Sequence, residues 1–271
     1  MSPFPLPAVI ITRPKGRADN LIQKLTDSNY AIVNMPCLEI IPVTKSNYQT
    51  YNSEINFADY SIIIFTSVNA VTGFFSLFSH DSQLSKLKVY KFYTIGKATA
   101  KKLQEYGYNI KNIIFPESST EENSESFVKL FINLNNTNKI KNNILLIRGE
   151  ESRNYISKNL LDRGFSLTEV VTYQTSCPSS CLSEEVLTSY FDHKDFIILI
   201  TSISILENFY SRVKKLNNLT KILNQPLIVV SQRIVEAAVY KGFKKIYCTN
   251  SMNDVAIIGM INEIASHKSV F

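Results

Sequence analysis

Short, uninterrupted apolar runs stand at residues 8–12, 61–65, 143–147 and 196–200 of the 271-residue chain. Each is of strand length and has no polar alternation, the mark of a strand covered on both faces. Between such runs the apolar residues recur at helical spacing, as with Leu21, Ile22 and Leu25 inside 16–28. The same reading predicts further strands at 30–35, 88–94, 111–115, 167–173, 227–230 and 244–248. Helices are predicted at 69–78, 97–106, 121–131, 152–162, 183–190, 203–213, 233–240 and 252–265. Gly107, Gly164 and Gly242 follow three of these helices, where a left-handed residue ends a helix most easily. Strands alternating with helices of about ten residues imply parallel sheets with helices on both faces, in the doubly wound form that right-handed crossovers require.

The pattern runs twice. Thr66-Ser67 followed by Phe74-Phe75 returns as Thr201-Ser202 followed by Phe209-Tyr210, a constant offset of 135 residues. The same offset takes Arg13 to Arg148, Asn29-Tyr30 to Gly164-Phe165, Gly96 to Ser231 and Gly107 to Gly242. The chain is therefore two diverged copies of one α/β unit. Two proline-flanked extended stretches, 36–43 and 170–178, suit interdomain connectors. If they are, a discontinuous first domain holds both chain ends and the middle of the chain forms the second.

Composition narrows the functional classes. Hydrophobic residues at 45% and charged residues at 19% suffice for a large core and exclude global disorder. Lys plus Arg number 29 against 23 Asp plus Glu, a net +6 that favours anionic partners without choosing among them. The basic residues are dispersed, which argues against a nucleic-acid module. The N-terminus lacks the basic and apolar regions of a signal peptide, and no apolar run approaches the ~20 residues that span a membrane. Cys37, Cys177, Cys181 and Cys248 read as incidental thiols with no zinc partners, a usage that fits the cytoplasm.

Nucleotide, nucleophile-elbow and metalloprotease motifs are missing. Glu121-Glu122 and Glu184-Glu185 read as helix starts at the surface. What remains is a series of small polar and basic residues where strands end: Thr12-Arg13, Thr66-Ser67, Thr94-Ile95-Gly96, Arg148-Gly149, Thr201-Ser202 and Ser231. Ligands of parallel sheets bind at such ends, beside free helix N–H groups. Arg13, Arg17, Arg148, Arg153 and Arg233 would add carboxylate clamps. Plainer roles compete. Ser67 and Ser202 suit helix N-caps, Gly96 a turn, Tyr173 packing, and Arg148 a surface pair with Glu150 or Glu151.

In this order the segments carry a resemblance. Ile11-Thr12-Arg13-Pro14, Pro36-Cys37-Leu38-Glu39-Ile40, Phe65-Thr66-Ser67-Val68-Asn69-Ala70-Val71 and Thr94-Ile95-Gly96-Lys97-Ala98-Thr99-Ala100 come from the first half. Leu146-Ile147-Arg148-Gly149-Glu150, Val171-Thr172-Tyr173-Gln174-Thr175, Thr201-Ser202 and Ser231-Gln232-Arg233-Ile234 complete the series. Together they resemble the uroporphyrinogen-III synthase family over nearly the whole chain. The resemblance implies two similar doubly wound parallel-sheet α/β domains, 1–38 plus 174–271 and 42–170, joined by a two-stranded antiparallel connector at 36–43 and 170–178, with an active cleft between the domains.

It also implies a cytoplasmic monomer without cofactor or metal, acting on the linear tetrapyrrole hydroxymethylbilane. Cyclisation with inversion of ring D and loss of water would give uroporphyrinogen III. Tyr173 and Thr99 match the family's catalytic candidates. Thr66, Ser67, Asn69 and Gly96 would bind substrate from one domain and Thr201, Ser202 and Ser231 from the other, with Arg13, Arg148 and Arg233 as carboxylate contacts. Ile234 stands where a second copy of Thr99 would fall, so a symmetric pair of threonines is not expected. A non-catalytic two-lobed anion or solute-binding protein, or an inactive paralogue, is the competing reading.

Overall fold

The structure is a computed structural model, and residues 6–79, 91–117, 123–135, 143–152, 154–178, 188, 191 and 195–267 are described. The expected helix at 183–190, the first residues of the strand at 88–94, the start of the helix at 121–131 and Arg153 lie largely or wholly outside them. The chain divides into two compact units. The first comprises Met1–Glu39 and Ser176–Phe271, the second Ile40–Thr175.

In the first unit, strands β1 (Ala8–Ile11) and β2 (Ile32–Asn34) join β9 (Phe196–Ile200), β10 (Pro226–Val229) and β11 (Lys245–Cys248) in the order β11-β10-β9-β1-β2. Every pairing is parallel. The central strands β1, β9 and β10 are buried at every position, whereas β2 and β11, at the edges, keep partly exposed side chains. This is the distribution expected of a sheet covered on both faces. Around it lie α1 (Asp19–Asp27), α7 (Ile203–Val213), α8 (Leu219–Leu223), α9 (Gln232–Tyr240) and α10 (Asp254–His267).

The second unit contains β3 (Glu39–Pro42), β4 (Ile62–Phe65), β5 (Phe92–Thr94), β6 (Ile113–Ile114), β7 (Asn143–Gly149) and β8 (Ser166–Ser176), in the order β3-β8-β7-β4-β5-β6. The pairs from β8 to β6 are parallel. Side-chain alternation divides its core between the two faces of the sheet. Ile63, Phe65, Leu145 and Ile147 face α3 (Val68–Phe78) and α4 (Lys97–Glu105), with Phe74 and Leu103 among their neighbours. Ile62, Ile64, Ile144 and Leu146 face α5 (Ser124–Asn135) and α6 (Tyr155–Leu161), against Phe127, Phe131 and Leu160. Phe65 and Phe74 meet edge to face with ring centroids 5.4 Å apart. A short helix, α2 (Tyr48–Tyr51), follows β3. The Asn52 side chain then binds both backbone groups of Val171, accepting from its N–H at 2.6 Å and donating to its carbonyl at 2.9 Å.

At the 135-residue offset, β1, β2, β4, β5 and β6 correspond to β7, β8, β9, β10 and β11. The strand orders β2-β1-β9-β10-β11 and β8-β7-β4-β5-β6 then become the same order. Each sheet takes its first two strands from one copy of the repeat and its last three from the other. Backbone geometry keeps the register. Asn29 and Gly164 both have positive φ, 64° and 83°, and Gly107 and Gly242 do so at 87° and 93°. In each pair one left-handed residue turns the chain out of a helix.

Both passages between the units start from α7. Asn208 donates to the Cys37 carbonyl at 2.8 Å. Arg212, one turn on, donates to the carbonyls of Pro36 at 3.2 Å and Pro178 at 2.7 Å. Beyond these anchors, Val43 N–H bonds the Thr172 carbonyl beside β8.

Candidate functional site

In the second unit the ends of β5, β4, β7 and β8 lie side by side and carry four of the expected features. β4 ends in Thr66 and Ser67. Thr66 Oγ1 is turned back onto the Ile147 carbonyl at 3.1 Å. Ser67 is the N-cap of α3, its Oγ accepting from Ala70 N–H at 3.1 Å. Gly96 is the N-cap of α4 in extended conformation, with Thr99 buried in the first turn that follows. Asn69 sits partly buried in the first turn of α3. The open N–H groups and the positive ends of α3 and α4 therefore arrive at neighbouring positions on one rim.

Tyr173 reaches this rim through an irregularity. The β7–β8 register pairs Arg148 with Val171 and Gly149 with Tyr173, so Thr172 is an extra residue in β8. A bulge of this kind re-aims the side chain that follows it. The Tyr173 ring lies over the backbone of Gly149, where a β-carbon would come 2.5 Å from Cζ. Any residue larger than glycine would displace the ring. Its hydroxyl crosses β7 to stand 3.1 Å from Ser67 Oγ at the end of β4. Neither the bulge nor the role of Gly149 is marked in the sequence beyond an Arg-Gly pair at a strand end.

Arg148 does not pair with Glu150 or Glu151. Its partner is Glu169 on β8, with Nη1 2.8 Å from Oε2 and 2.9 Å from Asn154 Oδ1. Nε donates to the Gly149 carbonyl at 3.1 Å, Nη2 donates to the Ser152 carbonyl, and Ser157 Oγ holds the other Glu169 oxygen. Arg148 is 4% exposed, and each of its three guanidinium nitrogens has a partner. It braces the turn that carries Gly149.

The first unit repeats this arrangement with different partners. Arg13, at the end of β1, is 8% exposed and pairs with Asp254 at 2.8 Å, and its Nη2 donates to the Met252 carbonyl at 3.1 Å. Ser202 is the N-cap of α7, accepting from Ile205 N–H at 3.2 Å, and Thr201 before it is buried. Ser231 is the N-cap of α9, but its side chain makes no capping bond. Arg233, two residues further, is exposed. Ile234 is buried where Thr99 stands in the other unit. The ion-pair partners Glu169 and Asp254 stand 21 and 241 residues from Arg148 and Arg13, and no local spacing marks them.

Burial pushes the Asp254 carboxyl upward, but hydrogen bonds from Arg13 and Asn20 and the Arg13 charge outweigh it, so its pKa lies below the usual carboxylate value. The sign follows from linkage. A lowered folded-state pKa contributes stability above the unfolded-state value of about 3.9, and the contribution is lost as pH falls through the folded-state value. Urea midpoints of the wild type and Asp254→Asn should therefore differ most near neutral pH and converge as pH drops below about 4. A constant difference across that range would remove the carboxylate's part.

Among the described residues, no group of three His, Cys, Asp or Glu side chains is arranged to hold a metal ion. Among them, too, no helix is long and apolar enough to cross a membrane.

Two α/β units with the same parallel strand order, each with helix N-termini and hydroxyls along one rim, define a duplicated two-domain α/β protein with polar strand ends. The sequence model of the family described as uroporphyrinogen-III synthase HemD matches residues 19–258, and the chain belongs to that family. Uroporphyrinogen-III synthesis, on a small-molecule tetrapyrrole, is the activity that membership carries. A porphyrin biosynthesis protein HemD of Ruminiclostridium josui is 34% identical over 36% of this chain, a stretch that makes up 20% of that longer protein. The uroporphyrinogen-III synthase of Chlorobaculum parvum is 24% identical over 76% of this chain and 78% of its own. The crystal structure of the Helicobacter pylori uroporphyrinogen-III synthetase shares the fold, with a TM-score of 0.65 at 16% identity over 96% of this chain and all of that one.

Proposed function

We propose that this enzyme cyclises hydroxymethylbilane, inverting ring D and releasing water to give uroporphyrinogen III, as a cytoplasmic monomer without a bound metal or cofactor. The observation that carries the reading of the site is the placement of the Tyr173 hydroxyl over Gly149 and against Ser67, on a rim of helix N-termini. Tyr173 gives its proton to the departing substrate hydroxyl. The C–O bond breaks with its electron pair on oxygen, water leaves, and an azafulvene cation remains. Ring closure at the substituted carbon of ring D then runs through a spiro intermediate, and the carbon-bound proton lost in rearomatisation restores the tyrosine.

The substrate's carboxylates are taken up by backbone N–H groups at the starts of α3 and α4, with Asn69, Gly96 and Thr99 along that rim, and at the starts of α7 and α9 by Thr201, Ser202, Ser231 and the exposed Arg233; Thr66 and Ser67, whose hydroxyls are engaged at Ile147 and Tyr173, shape the first rim. Helix N-termini suit carboxylates by dipole and by unpaired donors together. Arg13 and Arg148, whose guanidinium groups are occupied by Asp254 and Glu169, serve by holding the two rims. Most of the rate advantage is the holding of one folded substrate conformation, in which the rearranging closure is favoured. The net charge of +6 favours approach of a polyanion.

The test is isomer analysis. Purified protein given hydroxymethylbilane is expected to yield mainly the type III isomer. Recovery of the type I isomer alone, the product of spontaneous closure, would overturn the reading.

A further inference from the structure

Ser67 stands between two partners of different kinds. Its Oγ accepts the Ala70 N–H at 3.1 Å, and Tyr173 Oη lies 3.1 Å away on the other side. A serine hydroxyl has one proton to donate, and a tyrosine hydroxyl likewise. The distance alone allows either to be the donor. If Tyr173 donated, Ser67 Oγ would receive two donors and the Ser67 proton would be left to solvent or substrate. If Ser67 donates, the Tyr173 proton is the one left over instead. The chain then runs from Ala70 N–H to Ser67 Oγ–H to Tyr173 Oη. The bond from Ala70 N–H and the positive end of α3, an 11-residue helix, favour this second sense, because both polarise the serine hydroxyl toward an electron-rich acceptor.

We propose that Ser67 is the positioning residue for the Tyr173 proton: by donating to Tyr173 Oη it turns that proton away from the protein and toward the leaving hydroxyl. This rests on the reading of Tyr173 given above. Three features fix the geometry. The extra residue Thr172 re-aims the tyrosine, Gly149 admits its ring, and Ser67 is pinned as the cap of α3. When Tyr173 gives up its proton and the C–O bond breaks to release water, the phenolate oxygen is already an acceptor of the Ser67 O–H, so no group reorients during the step. The proton returns when the closing carbon loses its hydrogen, and the cycle is balanced. Ser67 thus has a part beyond lining the rim, and its counterpart Ser202, also an N-cap, has none of this kind. The residue at the offset from Tyr173 would be 38, which is Leu38.

A double-mutant cycle tests the proposal, with kcat, KM and thermal stability measured on the full chain for every variant. Ser67→Ala is expected to lower kcat for type III formation about tenfold, as one lost hydrogen bond does, with KM within about twofold. In the Tyr173→Phe background the same replacement should change kcat by less than about twofold, because no proton remains to be directed. Ser67→Thr, which keeps both the cap and the donor, should restore most of the rate. Loss of the α3 cap lowers stability equally in both backgrounds, so a merely structural serine predicts equal kcat losses in both. Equal losses, or no loss in Ser67→Ala, would overturn the role of Ser67 while leaving the synthase reading intact. Failure of the wild type to form the type III isomer would instead overturn that reading, and this inference with it.

Discussion

Replacing Tyr173 by phenylalanine is expected to lower kcat for type III formation by roughly 10²-fold, the lower end of what a positioned general acid contributes. KM and thermal stability should change little. The phenyl ring retains the contact with Gly149, and the lost bond to Ser67 is between two partly exposed groups. The loss should fall short of abolition, because binding of the folded substrate and the helix N-termini remain in place. The isomer ratio offers a second readout. A slow first step gives free substrate more time to close spontaneously to the type I product. Steady-state kinetics with isomer separation checks both, and an unchanged kcat would remove Tyr173 from the chemistry.

The other large effect is on stability. Arg148→Met removes a guanidinium, on a residue only 4% exposed, that bonds Glu169, Asn154 and two backbone carbonyls. Breaking a buried pair by deleting one partner costs about 3–5 kcal/mol, chiefly because the other charge is left uncompensated. The Glu169 side chain is 35% exposed and recovers some hydration, so about 3 kcal/mol is expected here. The double replacement Arg148→Met with Glu169→Leu should recover a large part of it, since no charge is then stranded. Urea unfolding followed by a probe in the second unit is the measurement, as two units need not unfold together. If Arg148 instead held a substrate carboxylate directly, the single variant would raise KM sharply and leave stability nearly intact. That result would overturn the bracing role.

Much of the fold is legible in the sequence. The runs at 196–200 and 203–213 coincide with β9 and α7, because an uninterrupted apolar run and a strong helical period are both local signals. Edges were harder. The strand expected at 30–35 is only Ile32–Asn34, and that at 111–115 only Ile113–Ile114, since edge strands have one neighbour to define their ends. The short helix Leu219–Leu223 was not anticipated at all, as five residues are too few to show a period. At the site, Ser67, Gly96, Ser202 and Ser231 were recognisable as small residues after strands, and all four are N-caps. The partners of Arg13 and Arg148 were not recognisable, because an ion pair between residues on separate elements leaves no spacing in the chain.

The residues alone establish the α/β class, the 135-residue duplication and the family. Each rests on patterns that repeat over a few turns or strands, or on an ordered series of short segments, and these survive without knowledge of what packs where. Tertiary packing decided the rest. The two copies exchange strands, so that each sheet is completed by the other half of the chain. One extra residue in β8 swings Tyr173 across Gly149 to Ser67. Both are outcomes of pairing between distant segments, in which the burial of whole strand faces selects the register, and no local propensity encodes that choice.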